Sequence, residues 1–441
     1  ARVGLILRMC VGWRWIVMAG LVCFFAEGVG VCRADPLGLG GVLDGGSDQQ
    51  AGASSAESRG AVKLEVGWTV RRAYVGVNRP IEVTLRLTGA VGVEDGFRGV
   101  ELELIDAGST VLADGRGVGG RVVGRSAVRV GPSGVVELDL ASRFPPIWAG
   151  GAPQVFYVQA SVDGVRVGAP LVVEPMVRPA RVRNGLEARL ERAALLLSGG
   201  SESDRDSQLA FIENLLALPV PVKRSLRDEV VVESWRAEGG GAVLGGVRVS
   251  VRRDVVMRTS LGEMVFRLRP DQAGETCWRF MELVGGGWYD GTVFHRVVAA
   301  DGAGRPFVVQ GGDPSGTGFG GVGFGVDYEV SELEHAFGVL SLVRSGDDPN
   351  SGGSQFVVCL SRAGCERLDG VQVSFGELIN GAEVLSAIAS VPVRAREPGG
   401  AVDRPVQPPL IERAFLVASG PVGSRSRVEP RGVGRRAPIP R

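Results

Sequence analysis

Apolar and polar residues alternate in short runs between residues 61 and 177. Glycine-rich turns bound these runs, which include Val62–Val66, Ile81–Leu87, Val100–Leu104 and Val155–Val158. A period of two places every second side chain on one face, the pattern of half-buried β-strands. The spacing of the runs predicts a β-sandwich of immunoglobulin-like type over residues 61–177. Carboxylates such as Glu101 and Glu103 fall on the polar strand face, where we expect them to be solvated.

The pattern changes to a helical period in residues 178–241, which we interpret as a helical connector. Apolar residues recur there at the spacing of one helix face: Leu186, Leu190, Ala193, Ala194 and Leu197, then Leu209, Ile212 and Leu216. Such spacing predicts amphipathic helices that pack on a neighbour. A strand-rich run from Ala242 to Val256 follows, and it opens a C-terminal domain predicted to span residues 242–418.

The two ends of the chain differ in composition from these segments. Arginines flank the short apolar stretch Trp15–Phe25, and Cys32–Ala34 precedes Asp35, which is typical of an export signal over residues 1–34. We expect an exported protein, periplasmic or extracellular; if the signal stays uncleaved, the alternative is a membrane anchor. Residues 35–60 are rich in Gly, Ser and Ala and predict a flexible linker. Residues 419–441 predict a disordered tail.

Composition narrows the range of functions. A length of 441 residues leaves room for two or three domains. Lys and Arg number 49 and so do Asp and Glu, so the chain lacks the basic surplus typical of nucleic-acid binders, and we expect no nucleic-acid partner. The 68 glycines follow no three-residue period, which excludes a collagen-like fibre.

Cysteine and histidine usage gives no sign of a metal site. Outside the predicted signal the cysteines are Cys277, Cys359 and Cys365, without zinc-ligand spacing. Cys359 lies in an apolar run and is expected to be a buried small hydrophobe, while a disulfide from Cys365 to either other cysteine stays open. The two histidines, His295 and His335, lie apart from any metal-ligand cluster. We expect no metal and no cofactor, and we interpret His335 as a turn residue.

Short motifs follow one another in a fixed order in the C-terminal third. Met257–Phe266 reads as a hairpin with a Gly turn, and Gly287–Arg296 has the sequence GWYDGTVFHR. Further motifs are Gln310–Pro314, Gly316–Gly318, Gly353–Phe356, Leu368–Gly370 and Val373–Gly376. In content and order they resemble the cyclophilin-type peptidyl-prolyl isomerases, from about Arg258 to Val417. The resemblance implies a mostly β fold with an eight-stranded closed barrel and two helices, one of them over Ala273–Val284.

The same resemblance implies a peptidyl-prolyl cis-trans isomerase that acts on Pro-containing polypeptides. Arg296 matches the family's catalytic arginine, and His295 its buried structural histidine. Gln310 and Phe307 complete the expected catalytic group, with Phe307 also in the proline pocket. The remaining expected substrate-binding residues are Val308, Gln355, Val357, Leu368, Val343, Arg344, Ser345 and Gln372. Rotation about a prolyl bond requires no nucleophile, only a donor to the prolyl nitrogen and an apolar seat for the ring.

Several positions depart from the family pattern. The connection Val297–Pro306 is longer than usual, and Ala299–Arg305 reads as a surface loop beside the groove. Smaller or more polar residues replace the usual pocket methionine, second pocket aromatic, rim histidine or tyrosine, and tryptophan, at Val308, Val357, Gln372 and Arg367 respectively. We therefore expect weak activity. The alternatives are a cyclophilin-fold module that binds Pro-containing segments without useful turnover and a structural cell-surface protein led by the sandwich.

Overall fold

The computed structural model describes residues 64–89, 96–110, 120–149, 154–177, 181–199, 202–233, 244–345, 348–395 and 400–424. The predicted export signal, the linker and residues 425–441 of the predicted tail lie outside these ranges. Within the described ranges, no helix is both long and apolar enough to cross a membrane.

Two antiparallel sheets share the N-terminal apolar core. The first contains β1 (Glu65–Val70), β3 (Glu82–Thr88) and β6 (Val135–Asp139). The second has the order β2–β11–β8–β7–β4–β5, formed by β2 (Tyr74–Gly76), β4 (Arg98–Asp106), β5 (Arg121–Val130), β7 (Phe156–Val162), β8 (Val165–Val177) and β11 (Leu244–Val251). A short helix α1 (Leu140–Arg143) follows β6. The predicted β-rich character is confirmed, and the immunoglobulin-like type stays a prediction.

Two features of this region differ from expectation. Glu103 is buried on β4 rather than solvated, because Arg125 Nη2 on the adjacent strand β5 donates to it at 3.2 Å and Arg166 Nε on β8, two strands away, donates at 2.7 Å. Strand β11 pairs with β8 and β2, so the run expected to open the C-terminal domain completes the N-terminal sheet instead. The burial of Glu103 and the place of β11 both depend on contacts between residues far apart in the sequence, which local periodicity cannot predict.

The residues predicted as a helical connector form three helices framed by a small strand pair. The helices are α2 (Gly185–Gly199), α3 (Glu202–Ala217) and α4 (Val220–Asp228). Strands β9 (Arg181–Asn184) and β10 (Val230–Glu233) pair antiparallel at their base. The helical period of the sequence therefore appears as helices in the structure.

The C-terminal region is an eight-stranded antiparallel sheet with the order β14–β15–β17–β16–β18–β13–β12–β21. Its strands are β12 (Arg253–Thr259), β13 (Gly262–Leu268), β14 (Arg296–Val298), β15 (Val308–Gly311), β16 (Val339–Leu342), β17 (Phe356–Cys359), β18 (Val373–Asn380) and β21 (Ile411–Ala418). The helices are α5 (Gly274–Gly285), α6 (Arg362–Cys365) and α7 (Ala382–Ala389), and β19 (Val393–Ala395) and β20 (Val402–Pro405) form a separate hairpin. The predicted opening hairpin and the helix near Ala273–Val284 are confirmed.

The predicted closed barrel is wrong in one respect: the sheet curls but stays open between its edge strands β14 and β21. The segments next to those edges meet in an isolated bridge between Val293 and Leu410, and Gly291 N–H also donates to the Ile411 carbonyl at 2.8 Å. Pro408 and Pro409 stand just before β21, and proline has no backbone N–H with which to continue a ladder. The core under the sheet is nevertheless continuous, and rings such as Phe280 and Phe356 meet edge to face in it.

The predicted tail begins as ordered structure. Val422 is buried against the six-stranded sheet, where its N–H donates to Gln159 Oε1 at 2.9 Å. Ser419 is buried as well, and its hydroxyl donates to Asp254 at 2.7 Å. For residues 419–424 the prediction of disorder is therefore wrong.

Candidate active site

Two rows of residues cross neighbouring strands on the outer face of the eight-stranded sheet. The first row is Arg296, Gln310, Val357 and Ser341, on β14, β15, β17 and β16. The second is Val298, Val308 and Cys359 on the first three of these strands. Because side chains alternate along a strand, the residues between the rows, Val297, Val309 and Val358, point into the barrel core. The alternation thus brings predicted site residues from distant motifs together.

Arg296 is held at two of its three guanidinium nitrogens. Its Nε donates to Asp403 Oδ2 at 2.7 Å, and its Nη1 donates to Gln310 Oε1 at 3.2 Å. One third of the side chain remains exposed, and no residue in the described ranges accepts a hydrogen bond from Nη2. The guanidinium is therefore fixed in orientation while one nitrogen stays open to a ligand.

Gln310 and Gln355 continue this hydrogen-bonded chain away from Arg296. Gln310 Nε2 donates to Gln355 Oε1 at 2.8 Å. Gln355 Nε2 in turn donates to the carbonyl oxygens of Gly318 at 3.0 Å and Gly320 at 2.7 Å. The partners of each glutamine fix which atom of its amide donates and which accepts. The hydrogen bonds therefore all point one way, from Arg296 to the glycine-rich loop.

Asp313 shapes that glycine-rich loop. Its buried carboxylate accepts hydrogen bonds from the backbone N–H groups of Ser315 at 2.8 Å, Gly318 at 2.6 Å and Gly320 at 3.1 Å. Burial acts to raise the pKa of Asp313, but these bonds and the Ser315 hydroxyl outweigh it and hold the pKa below its ordinary value. The motif Gln310–Pro314 therefore supplies both a groove side chain and the anchor of the adjoining loop.

A small apolar cluster adjoins the polar row. It consists of the buried residues Val308, Val339, Val357, Cys359, Cys365 and Leu368. Phe307 and Val343 pack against it while partly exposed. Val357 directly opposes Gln310 across β15 and β17, so the apolar cluster begins next to the amide that bonds to Arg296. The structure thus places Phe307, Val308, Val357 and Leu368 together, as the sequence predicted, beside the arginine.

The other predicted groove residues surround this cluster. Val343 N–H donates to the Gln355 carbonyl at 2.9 Å, and Arg344 Nε donates to the Val371 carbonyl at 2.6 Å. Ser345 N–H donates to Ser351 Oγ at 2.7 Å, and Gln372 accepts a long contact of 3.5 Å from Ser341 Oγ. These bonds tie the segment 343–345 to residues that precede strands β17 and β18 and to the loop at Ser351.

The histidines and cysteines of the described ranges are buried in the cyclophilin-like region. His295 is buried, as expected. His335 is also buried and is not a simple turn residue: its Nδ1 lies 2.8 Å from Asp369 and its Nε2 2.9 Å from Ser341 Oγ. Among the residues in the structure, the cysteines expected in the mature chain, Cys277, Cys359 and Cys365, are all buried and free, so no disulfide forms from Cys365.

Two acidic residues at the site escaped sequence reasoning. Asp403 bonds to Arg296 from the β19–β20 hairpin, and Asp301 lies in the loop Ala299–Arg305, where it bonds to Arg367 at 3.0 Å. Neither belongs to a local motif, and both partners are far away in the chain. Only a search for carboxylates matched to the groove arginines could have suggested them.

Comparison with known proteins agrees with this geometry. The family model for cyclophilin type peptidyl-prolyl cis-trans isomerase/CLD matches residues 254–415. Peptidyl-prolyl cis-trans isomerase ppi1 of Schizosaccharomyces pombe is 37% identical over 169 residues, which cover 37% of this chain and 99% of that protein. The chain belongs to the cyclophilin-type peptidyl-prolyl cis-trans isomerase family. The predicted enzyme class is thereby confirmed.

Other relatives match the same part of the chain. Peptidyl-prolyl cis-trans isomerase-like 1 of Mus musculus is 35% identical over 168 residues, covering 37% of this chain and 91% of the mouse cyclophilin. A cyclophilin type isomerase of Cryptosporidium parvum, crystallised in the presence of the dipeptide Ala-Pro, is 31% identical with a TM-score of 0.33 and covers 38% of this chain and 99% of its own. The family model matches residues 254–415, and each of the two curated relatives covers 37% of the chain, so these matches concern its C-terminal part.

Proposed function

We propose that the cyclophilin region catalyses cis-trans isomerisation of Xaa-Pro bonds in polypeptides, with Arg296 as the donor to the prolyl nitrogen. The observation that supports this most directly is the state of Arg296. Asp403 and Gln310 fix two guanidinium nitrogens, a third of the side chain is exposed, and within the described residues Nη2 has no acceptor. A proline ring seated on Val357 and Leu368 would bring its nitrogen toward the polar row.

The chemistry matches the energetic demand of the reaction. The rotation barrier of about 18–20 kcal/mol arises because the planar amide delocalises the nitrogen lone pair. Twisting localises that pair on nitrogen, and a fixed guanidinium interacts with it more strongly in the twisted state than in the planar one. A charge-assisted hydrogen bond supplies roughly 1.5–3 kcal/mol. The rest of the stabilisation must come from the apolar seat and the main-chain contacts around residues 343–345.

An NMR exchange experiment on an Ala-Pro peptide tests this proposal. Wild-type chain should speed cis-trans exchange, and Arg296→Ala should remove most of the acceleration while peptide binding persists. The matched control is Arg413→Ala, which removes an exposed arginine from β21 away from the groove. If the wild-type chain binds the peptide but leaves exchange at its uncatalysed rate, the alternative of a Pro-binding module is correct.

We also propose that the substrates are exported proteins. The support is the arginine-flanked apolar stretch of residues 1–34, which lies outside the structure. A reporter fused after residue 60 should be recovered outside the cytoplasm with the N-terminal segment removed. Recovery of the intact fusion in the cytoplasm would contradict export.

A further inference from the structure

The loop Ala299–Arg305 is organised around the carboxylate of Asp301. Oδ1 accepts the backbone N–H groups of Ala303 at 3.0 Å and Arg305 at 2.9 Å. Oδ2 accepts Arg305 Nη2 at 2.9 Å and Arg367 Nη1 at 3.0 Å. Oδ1 therefore bonds to the backbone of the loop, and Oδ2 bonds to the guanidinium groups of Arg305 and Arg367.

Arg367 connects this carboxylate to the apolar cluster. Its guanidinium carbon lies 3.9 Å from the centroid of the Phe307 ring, within the range of a cation–π contact. Phe307 is only partly buried, and on its inner side it packs against the cluster that contains Val308 and Leu368. The guanidinium therefore covers the aromatic ring on a surface that the cluster leaves open.

Two departures from the family pattern, Arg367 and the longer connection Val297–Pro306, are in contact through Asp301. By the resemblance described above, Arg367 stands at the position of a family tryptophan, and Asp301 lies in the connection Val297–Pro306 that is longer than the family's. A flexible arginine alone would not form a fixed wall, because its side chain has many rotamers. Asp301 supplies the missing restraint from a loop that is itself closed by the same carboxylate.

We propose that Asp301 is a positioning residue for proline binding, which holds the Arg367 guanidinium over the Phe307 ring so that the pair forms the outer wall of the pocket. This inference rests on the proposed function, since it assigns the pocket to the proline ring. It makes the inserted loop part of the substrate site. Asp301 acts only through Arg367 and touches no substrate.

A double-mutant cycle tests the inference. Asp301→Asn keeps an oxygen to accept the loop N–H groups but removes the charge that holds the guanidinium groups. The cycle combines Asp301→Asn and Arg367→Ala singly and together, with peptide affinity from NMR titration and exchange rate at saturating Ala-Pro peptide as separate readouts. Glu366→Gln is the matched control, because Glu366 pairs with Arg305 at 3.7 Å on the same surface.

Each single variant should weaken peptide binding by about three- to tenfold, and the double variant should bind no more weakly than Arg367→Ala alone. Glu366→Gln should bind like wild type. The side-chain protons of Arg367, shifted upfield by the Phe307 ring, should return toward ordinary values in Asp301→Asn. The ring-current shift depends directly on the position of Arg367 over Phe307. A general loss of loop stability would therefore not explain its change in a variant that keeps its fold.

Three outcomes overturn the inference: wild-type affinity in Asp301→Asn, full additivity of the two changes, or a wild-type chain that does not bind the peptide. The exchange readout separates this from the proposed function. If the cycle behaves as expected while exchange stays uncatalysed in the wild type, the proposed isomerase mechanism fails and the positioning role of Asp301 stands.

Discussion

Asp403 accepts a hydrogen bond from Arg296 Nε at 2.7 Å, although 107 positions separate the two residues. The carboxylate is almost fully buried, with 7% of its side chain exposed, and it comes from the β19–β20 hairpin. In the role proposed for Arg296, the guanidinium must keep its position while the substrate twists, since positioning errors of an ångström reduce rates strongly. The hairpin therefore serves the site from outside the barrel.

Removal of this restraint should affect turnover more than binding. We expect Asp403→Ala to lower the exchange rate at saturating peptide by about tenfold, roughly 1.4 kcal/mol. Asp403→Asn should lose less, because its amide oxygen can still accept from Nε. Glu412→Gln, a change at an exposed carboxylate on β21, serves as the control. Wild-type exchange in Asp403→Ala would show that Gln310 alone fixes the arginine.

The amide of Gln355 should stabilise the glycine-rich loop. Gln355→Glu replaces the donor to Gly318 and Gly320 with a carboxylate oxygen, which would face two carbonyl oxygens. We expect faster hydrogen exchange across residues 316–325 and a several-fold loss of isomerase activity. Hydrogen–deuterium exchange with mass spectrometry measures the first effect. Unchanged protection of the loop would contradict the role assigned to this amide.

Acid should destabilise the cyclophilin region through His335. Burial lowers the pKa of His335 below its ordinary value and outweighs the opposing effect of Asp369, while Arg362 lowers it further. The unfolded chain then binds the extra proton first, so stability is fully present above about pH 6.5 and is lost as the pH falls, by at most about 1.4 kcal/mol per pH unit. Urea unfolding at pH 7.5 and 5.5 should show a smaller loss in His335→Asn than in wild type. Equal losses would exclude His335 as the cause.

Arg248 should be essential for the contact between the six-stranded sheet and helix α5. Its buried guanidinium donates to Glu174 at 2.6 Å, Glu275 at 2.8 Å and the Gly274 carbonyl at 3.0 Å. Arg248→Gln leaves the carboxylate of Glu174 poorly paired in a buried setting, so we expect a loss of about 3 kcal/mol in the free energy of unfolding.

A matched control separates this effect from the loss of any arginine. Arg258 pairs with Glu263 at 3.5 Å on the surface, with more than half of its side chain exposed. Arg258→Gln should cost under about 1 kcal/mol, because exposed ion pairs are screened by water. Urea unfolding of both variants makes the comparison. If both variants lose the same free energy of unfolding, the burial of Arg248 does not increase its contribution to stability.

Local pattern predicted much of this protein. Alternation in Val100–Leu104 indicated strand β4, and the order of motifs from Met257 onward indicated the hairpin, helix α5 and the groove residues around Arg296. These features depend on residues close in sequence or on motifs with a fixed context. The sequence could therefore indicate these elements and several residues that the structure brings together around Arg296, while their roles stay a prediction.

The misses have a common physical origin in contacts between distant segments. The acidic partner of Arg296 is Asp403 on the short strand β20, and that of Arg367 is Asp301 in a loop, so neither lies in a periodic run. His335 is buried with Asp369 and Ser341 as its hydrogen-bond partners, and Glu103 is buried with arginines from strands β5 and β8 as its partners. Strand β11 pairs with β8 across more than the whole helical connector. No window of neighbouring residues contains these relationships.

The burial of Val422 on the N-terminal sheet affects when that domain can finish folding during translation. Val422 packs with Ile105, Tyr157 and Val172 on the N-terminal sheet, and β11 separates β2 from β8 in that same sheet. A chain emerging from the ribosome in order cannot join β2 to the sheet before residue 251 appears, nor cover this apolar patch before residue 422 does. Completion of the first domain thus waits until translation has passed residue 422.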